Sequence, residues 1–293
     1  MLRENCGGAY YGAKVEEDDY AMDPWGYTTP EIERVARVAG ALARTMGRDG
    51  HGSGGPATVW SADKANVLAN SRLWRRVVTR VFEEEFPDIE LKHQLADSLS
   101  MIMMTHPSRF NGVILTDNTF GDMLSDQAGG VVGTLGVLPS ASLCAAPLPG
   151  QKCNGIYEPV HGSAPDISGQ GIANPLAQIL SAALLLRYSC NLHDEATLIE
   201  AAVAKVLDAR DIGGLEIRTG DMGGKSTTVE AGDAVCRVLE EMLSGHAGSG
   251  SLEQDFEKLG HSTDAHKSEN KAWEKEIKKE AVAIGPQTSL ALS

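Results

Sequence analysis

Short apolar runs with strand character alternate along this chain with amphipathic helical periods, and this alternation restricts the fold more than any other feature. Thr58-Val59-Trp60 is β-like, 71–86 is an amphipathic helix, and Ile89 to Leu95 alternates as a strand. Residues 97–105 are helical, Gly112 to Thr116 is a buried strand, and 120–132 is again a helix. Further on, 173–189 is a buried helix, and 194–209 and 231–244 are amphipathic helices. Such a succession predicts an α/β fold with a largely parallel sheet. Ahead of it, 8–28 is rich in Gly, Tyr and Asp and predicts an extended arm or hairpin. Thr29-Pro30-Glu31 then starts a helix with a cap, a proline and a first-turn acid. Ile32, Val35, Val38, Ala39, Leu42 and Met46 give that helix one apolar face. The stretch 48–56 is a flexible loop. Beyond Gly245 the chain turns polar, which predicts a mostly disordered tail with a solvated helix around 267–281.

Several function classes are disfavoured by composition. A net charge of -14 repels phosphate backbones, which argues against nucleic acid as a partner. An anionic substrate would need a local positive site: a metal ion, or a few placed Arg and Lys. The 5 cysteines are odd in number and lack a C-x-x-C pair, which fits a reducing compartment better than a disulfide framework or a zinc site. No apolar run is long enough to span a bilayer, and MLRENCGGAYYG lacks the apolar core of a secretory signal. The expectation is a cytoplasmic protein with no membrane partner.

Two familiar phosphate motifs can be set aside. Gly52-Ser53-Gly54-Gly55-Pro56-Ala57 matches a dinucleotide fingerprint, but it follows a helix and contains a proline. Gly220-Asp221-Met222-Gly223-Gly224-Lys225-Ser226 is one residue short of a P-loop and predicts a tight turn. FGDMLSD (120–126) carries more. Asp122 and Asp126 are four apart on a predicted helix, so they share a face just beyond the C-terminal end of a buried strand. Two hard oxygen donors suit Mg2+ or Mn2+, although such spacing is more often a solvated acidic face. Asp97 opens the preceding helix and by itself is a helix cap. In YEPVHGSAPDISGQGIANP (157–175), the small residues Gly162, Ser163 and Ala164 would let a flat ligand approach the backbone. His161 offers a ring for stacking and Asp166 a carboxylate for sugar hydroxyls. A plain Gly/Pro connection with a surface histidine fits that loop equally well.

SADKANVLANSRLWR (61–75), TDNTFGDMLSD (116–126), LGVLPSASL (135–143), GIYEPVHGSAPDISGQGIANP (155–175), ILSAALLLRYS (179–189) and IRTGDMGGKSTTVEAGDAV (217–235) together resemble the 3-isopropylmalate dehydrogenases, a branch of the β-decarboxylating dehydrogenases. The resemblance runs from about Arg3 to about Leu243. It implies a two-domain fold of the isopropylmalate/isocitrate dehydrogenase type, with NAD and Mg2+ or Mn2+ as cofactors. It also implies a homodimer with shared active sites, a 2-hydroxy dicarboxylate substrate and a place in leucine biosynthesis. By the same resemblance, Asp122 and Asp126 of one subunit and Asp97 of the other hold the metal ion. Lys64 of the other subunit takes the hydroxyl proton and Tyr10 protonates the enol. Arg3 binds a substrate carboxylate, Val67 touches the isopropyl group and Asn66 neighbours the nicotinamide. Glu158, His161, Gly162, Ser163, Ala164, Asp166, Ile167 and Asn174 form the cofactor site, where Asp166 selects NAD over NADP. Without the resemblance, Lys64 and Tyr10 would read as a surface lysine and a packing tyrosine.

The resemblance implies a domain of substrate binding and dimerisation over 1–134, a retained part of the NAD-binding domain over 135–245, and a disordered tail over 246–293. Family members carry a further segment ahead of the position of Arg3, with the first strands of the cofactor domain and further substrate arginines. A truncated gene model, a natural fragment and a non-catalytic paralogue all fit that difference; the first is the expectation, and with it little activity for the chain as written. Sister dehydrogenases acting on isocitrate, homoisocitrate or tartrate are the nearest enzymatic alternatives. Gln127 stands where the family has Glu, and Asn5-Cys6 where it has Leu-Thr.

Overall fold

The computed structural model describes residues 1–46, 57–147, 151–246 and 290–292. Two compact units divide the chain. The first comprises Met1–Val131, Ser142–Leu148 and Ile284–Ser293, and the second Val132–Ala141 and Pro149–Ala283.

The first unit opens with β1 (Leu2–Glu4), followed by the antiparallel pair β2 (Val15–Glu16) and β3 (Ala21–Met22). The arm expected over 8–28 is therefore a small hairpin. Next come α1 (Thr29–Met46), β4 (Thr58–Asp63), α2 (Ala69–Glu85), β5 (Glu90–Leu95), α3 (Ala96–Thr105), β6 (Val113–Thr116) and α4 (Asn118–Val132). Strands run in the order β5-β4-β6-β1. Every neighbouring pair is parallel, with Ser61 in register with His93 on one side and Leu115 on the other. The expected α/β fold with a parallel sheet is thus observed. Crossover helices cover the sheet, whose inner strands β4 and β6 are largely buried. Ile32, Val35, Val38, Ala39 and Leu42 of α1 are buried as their spacing predicts. A second cluster joins Trp60, Ala62, Leu99, Met103, Phe110 and Leu124.

Three expectations need correction here. Helix α1 is capped one residue earlier than expected: Thr28 N and Oγ1 both donate to the Glu31 carboxylate, at 2.7 and 2.6 Å. Asp97 is not the cap of α3, because Leu95 holds that position and makes no side-chain capping bond. Lastly, Leu290–Leu292, inside the tail expected to be mostly disordered, forms β9 antiparallel to β1, with Leu2 opposite Leu292. The physical reason is the edge of β1, whose backbone groups on the side away from β6 need partners. The loop expected at 48–56 and the helix expected at 267–281 lie outside the described residues.

The second unit contains β7 (Pro139–Leu143, which runs on into the first), β8 (Gly155–Pro159), α5 (Leu176–Tyr188), α6 (His193–Leu207) and α7 (Thr228–His246). Strands β7 and β8 are neighbours. The three helices close over Leu176, Ala202, Val203, Val206, Ala234, Val235 and Val238. The GDMGGKS stretch is the tight turn its spacing predicts: a single 3-10 turn over Gly220–Met222 whose ends meet in a Thr219–Ser226 bridge.

Candidate active site

The start of α4 organises one group of candidate residues. Asp117 closes the first turn of that helix, its Oδ1 accepting from Phe120 N at 2.8 Å. Its Oδ2 accepts from Trp25 Nε1 at 2.9 Å. Asn118, 2% exposed, donates to the carbonyls of Asn5 and Gly7 at 3.0 and 3.2 Å and so ties down the chain leading to Tyr10. Its Oδ1 accepts from Arg3 Nε and Nη2 at 3.0 and 2.7 Å. Arg3 Nη1 then reaches Asp122 Oδ1 at 2.7 Å, and Tyr10 OH donates to Asp122 Oδ2 at 2.8 Å. Gly121 makes this contact possible, since a Cβ there would lie 2.6 Å from Arg3 Cγ. Arg3 and Tyr10, 119 and 112 positions away in sequence, thus meet at the Asp122 carboxylate. The hydrogen bond to Asp122 raises the Tyr10 pKa and keeps the phenol protonated, the state a general acid needs. Asp126 is exposed, one turn further along α4.

A second group stands at the end of β4. Asp63, 2% exposed, accepts two bonds from Arg75 at 2.8 Å each and one from Ala65 N at 2.9 Å. The turn that follows closes with Val67 N and Leu68 N donating to Lys64 O at 3.0 and 2.9 Å. Lys64 Nζ pairs with Asp97 at 2.6 Å, and that ammonium holds the Asp97 carboxyl below the usual range. Asn66 is exposed, and Val67 presents 62% of its surface to solvent. The two residues expected to serve a neighbouring subunit, Lys64 and Asp97, therefore sit together, apart from Asp122.

Among the described residues no three His, Cys, Asp or Glu side chains come close enough to hold one metal ion. The donor chemistry still fits a divalent cation in part. Asp122 and Asp126 are hard oxygen ligands on one helix face, and the Arg3 guanidinium already demonstrates that Asp122 receives positive charge. A third carboxylate would have to come from elsewhere.

In the second unit the cofactor candidates line one loop. Glu158 lies on β8, and its carbonyl accepts from Ser140 Oγ at 2.8 Å. His161 Nδ1 is 2.9 Å from Gly162 O. Ala164 adopts φ 43, which turns the chain into a 3-10 turn carrying Asp166 and Ile167. Gly162, Ser163, Ala164 and Asp166 are all exposed. Asn174 Oδ1 accepts from Leu176 N at 3.0 Å and so starts α5. The Asp166 carboxylate is exposed on this loop.

Sequence reasoning missed Asn118, Asp117 and the Asp63–Arg75 pair. Their signal was present, since all three acidic or amide positions directly follow or end an apolar strand, where ligands gather in open α/β sheets. Gln127 stands where the resembled family has Glu, one negative charge fewer beside Asp126. It is also a clamp between helices: its side chain accepts from Ser100 Oγ at 2.7 Å and donates to Ser100 O at 2.8 Å, holding α3 against α4.

The fold and these groups define a protein of the β-decarboxylating dehydrogenase class. A model of the isocitrate/isopropylmalate dehydrogenase family matches residues 1–235, and the chain belongs to that family. It is 64% identical over 245 residues to a 3-isopropylmalate dehydrogenase of Hapsidospora chrysogena, covering 84% of this chain and 64% of that protein. It is 58% identical to 3-isopropylmalate dehydrogenase B of Aspergillus niger, covering 82% of this chain and 62% of the relative. The chain thus spans a little under two thirds of the relatives it matches. Among solved structures, a β-decarboxylating dehydrogenase from Thermococcus kodakarensis superposes with a TM-score of 0.67 at 35% identity, over 84% of this chain and 65% of the other. An isocitrate dehydrogenase from Methylococcus capsulatus gives 0.66 at 32% identity, over 81% of this chain and 66% of the other.

Proposed function

We propose that this protein is the NAD-dependent 3-isopropylmalate dehydrogenase of leucine biosynthesis, converting 3-isopropylmalate to 4-methyl-2-oxopentanoate and CO2. The observation that carries the reading is the convergence of Arg3 and Tyr10 on Asp122, in a chain whose relatives of highest quoted identity bear that enzyme's name.

Each residue then has a task. Arg3 offers a planar fork to a substrate carboxylate. Lys64 of the second copy, in a turn clamped through Asp63 and Arg75, takes the C2 hydroxyl proton, and NAD when bound would supply the hydride acceptor. The β-carboxylate departs as CO2, and Tyr10 gives its proton to the resulting enol carbon. Val67 presents an apolar surface to the isopropyl group, and Asn66 would neighbour the nicotinamide when NAD is bound. Asp122 and Asp126, completed by Asp97 of a second copy, would hold Mg2+ or Mn2+, whose charge stabilises the enolate when bound. Asp166 accepts from the adenosine ribose hydroxyls, while Glu158, His161, Gly162, Ser163, Ala164, Ile167 and Asn174 form the rest of the cofactor surface. Five free cysteines, three of them exposed, support a reducing compartment such as the cytoplasm. Among the described residues no helix is long and apolar enough to cross a membrane.

The test is NADH formation with Mg2+ or Mn2+, comparing 3-isopropylmalate with isocitrate, homoisocitrate and tartrate. It is run on this chain and on a fusion that adds the preceding segment of the Hapsidospora chrysogena relative. Turnover selective for 3-isopropylmalate in the fusion is expected. A soluble fusion with no turnover, or one preferring isocitrate, would overturn the reading. Nucleotide choice is tested separately. Asp166→Lys should weaken NAD about tenfold and move the preference toward NADP, because the wild-type carboxylate repels a 2′-phosphate. A wild type that already prefers NADP would contradict the role of Asp166.

A further inference from the structure

The GDMGGKS turn makes no phosphate loop, and the mechanism above leaves it idle. Its acid is nevertheless the meeting point of three segments of the second unit. Asp221 Oδ2 accepts from Thr134 Oγ1 at 2.5 Å and from Asn174 Nδ2 at 3.0 Å. Its Oδ1 accepts from Thr219 Oγ1. Thr134 Oγ1 in turn accepts from Gly136 N at 2.9 Å. A Cβ at Gly136 would lie 2.6 Å from Asp221 Oδ2 and 2.7 Å from Asn174 Cβ, so no side chain fits there. Beyond the turn, Thr228 grips the same loop a second time: its N donates to Gly171 O at 2.8 Å and its Oγ1 to Ala173 O at 2.5 Å.

We propose that Asp221 is a positioning residue that holds Asn174 and the 171–175 end of the cofactor loop in its binding geometry without itself touching the dinucleotide; this rests on the NAD site proposed above. A carboxylate with two oxygens can accept all three side-chain donors at once, whereas an alanine accepts none and releases the Asn174 amide. An ordered loop has less conformational entropy to lose when ligand binds.

The sign of the effect separates positioning from charge. Removing a negative charge near an anionic dinucleotide favours binding by Coulomb's law. Loss of a brace weakens it. The full chain is titrated with NAD by calorimetry, as wild type, Asp221→Ala, Asp221→Asn and Gly136→Ala, with hydrogen exchange of residues 171–176 followed in each without ligand. Asp221→Ala is expected to bind NAD about tenfold more weakly and to exchange faster at 171–176. Asp221→Asn, which keeps one acceptor oxygen, should recover most of the affinity. Gly136→Ala should weaken binding in the same direction as Asp221→Ala. Equal or tighter NAD binding by Asp221→Ala overturns the proposal, as does unchanged exchange at 171–176. A wild type that binds no NAD would refute the cofactor reading, and the exchange measurement would still decide whether Asp221 braces the loop.

Discussion

Asp117 illustrates what burial does to a residue near a site. Loss of solvent raises its pKa to about 6, against the bonds from Phe120 N and Trp25 and the charge of Arg3, all of which lower it. A carboxyl whose folded pKa is raised contributes stability that is fully present below its unfolded value, near 3.8, and lost as pH rises through about 6. Stability should therefore fall by up to about 1.4 kcal/mol per pH unit across that window on account of this group. Carboxyls held low, such as Asp88 and Asp97, act in the opposite sense and below it. Asp117→Asn should flatten the slope of urea unfolding stability between pH 4 and 6; an unchanged slope would assign it to other groups. Glu4 presents a related case. It is fully buried, and burial raises its pKa against the opposing bond from Arg34 at 2.5 Å. Arg34→Ala would leave that carboxyl unpaired and should cost about 3–5 kcal/mol in urea unfolding. A loss below about 1 kcal/mol would mean that the Cys6 N–H bond alone suffices.

At the scale of elements, the site depends on how closely β1 and α4 approach. Parallel pairing of β1 with β6 sets Arg3 beside Thr116, and Gly121 lets its aliphatic stem lie against the helix. Gly121→Ala should cost about 1–3 kcal/mol through overpacking. It should also displace the Arg3 guanidinium from Asp122, which a crystal structure of the variant would reveal. An unmoved Arg3 would mean that α4 itself yields instead. Helix ends teach a related lesson. Thr227-Thr228-Val229-Glu230 is a capping box readable in the sequence, and Thr227 and Glu230 exchange the reciprocal bonds it predicts. The start of α3 held no such pattern, and Asp97 was assigned a capping position that Leu95 occupies.

For the whole molecule, the surface left by α3 and α4 bears on assembly. Met101 and Met104 on α3 are 63% and 58% exposed, and Met123 on α4 is 57% exposed. Three large apolar side chains on helices that also carry Asp97, Asp122 and Asp126 suit contact with a second copy. Sedimentation at micromolar concentration should give a dimer, and Met101→Lys with Met104→Lys should shift it to monomer and weaken Mn2+ binding at least tenfold. A monomer with full Mn2+ affinity would dismiss the shared site.

Much of this protein was determined by sequence alone. The alternation of apolar runs and helical periods sufficed for a parallel α/β sheet, because period and burial are local properties of a strand or helix. The motifs around 61–75, 116–126 and 155–175 sufficed for the family. Only the tertiary structure decided which residues act together. Arg3, Tyr10, Asn118 and Asp122 are separated by up to 119 positions, and no spacing rule joins them; strand pairing and the close approach at Gly121 do. The pairing of Leu290–Leu292 with β1 is of the same kind. Three residues of a polar tail carry almost no strand signal, and a free strand edge supplies the partner that the local sequence does not reveal.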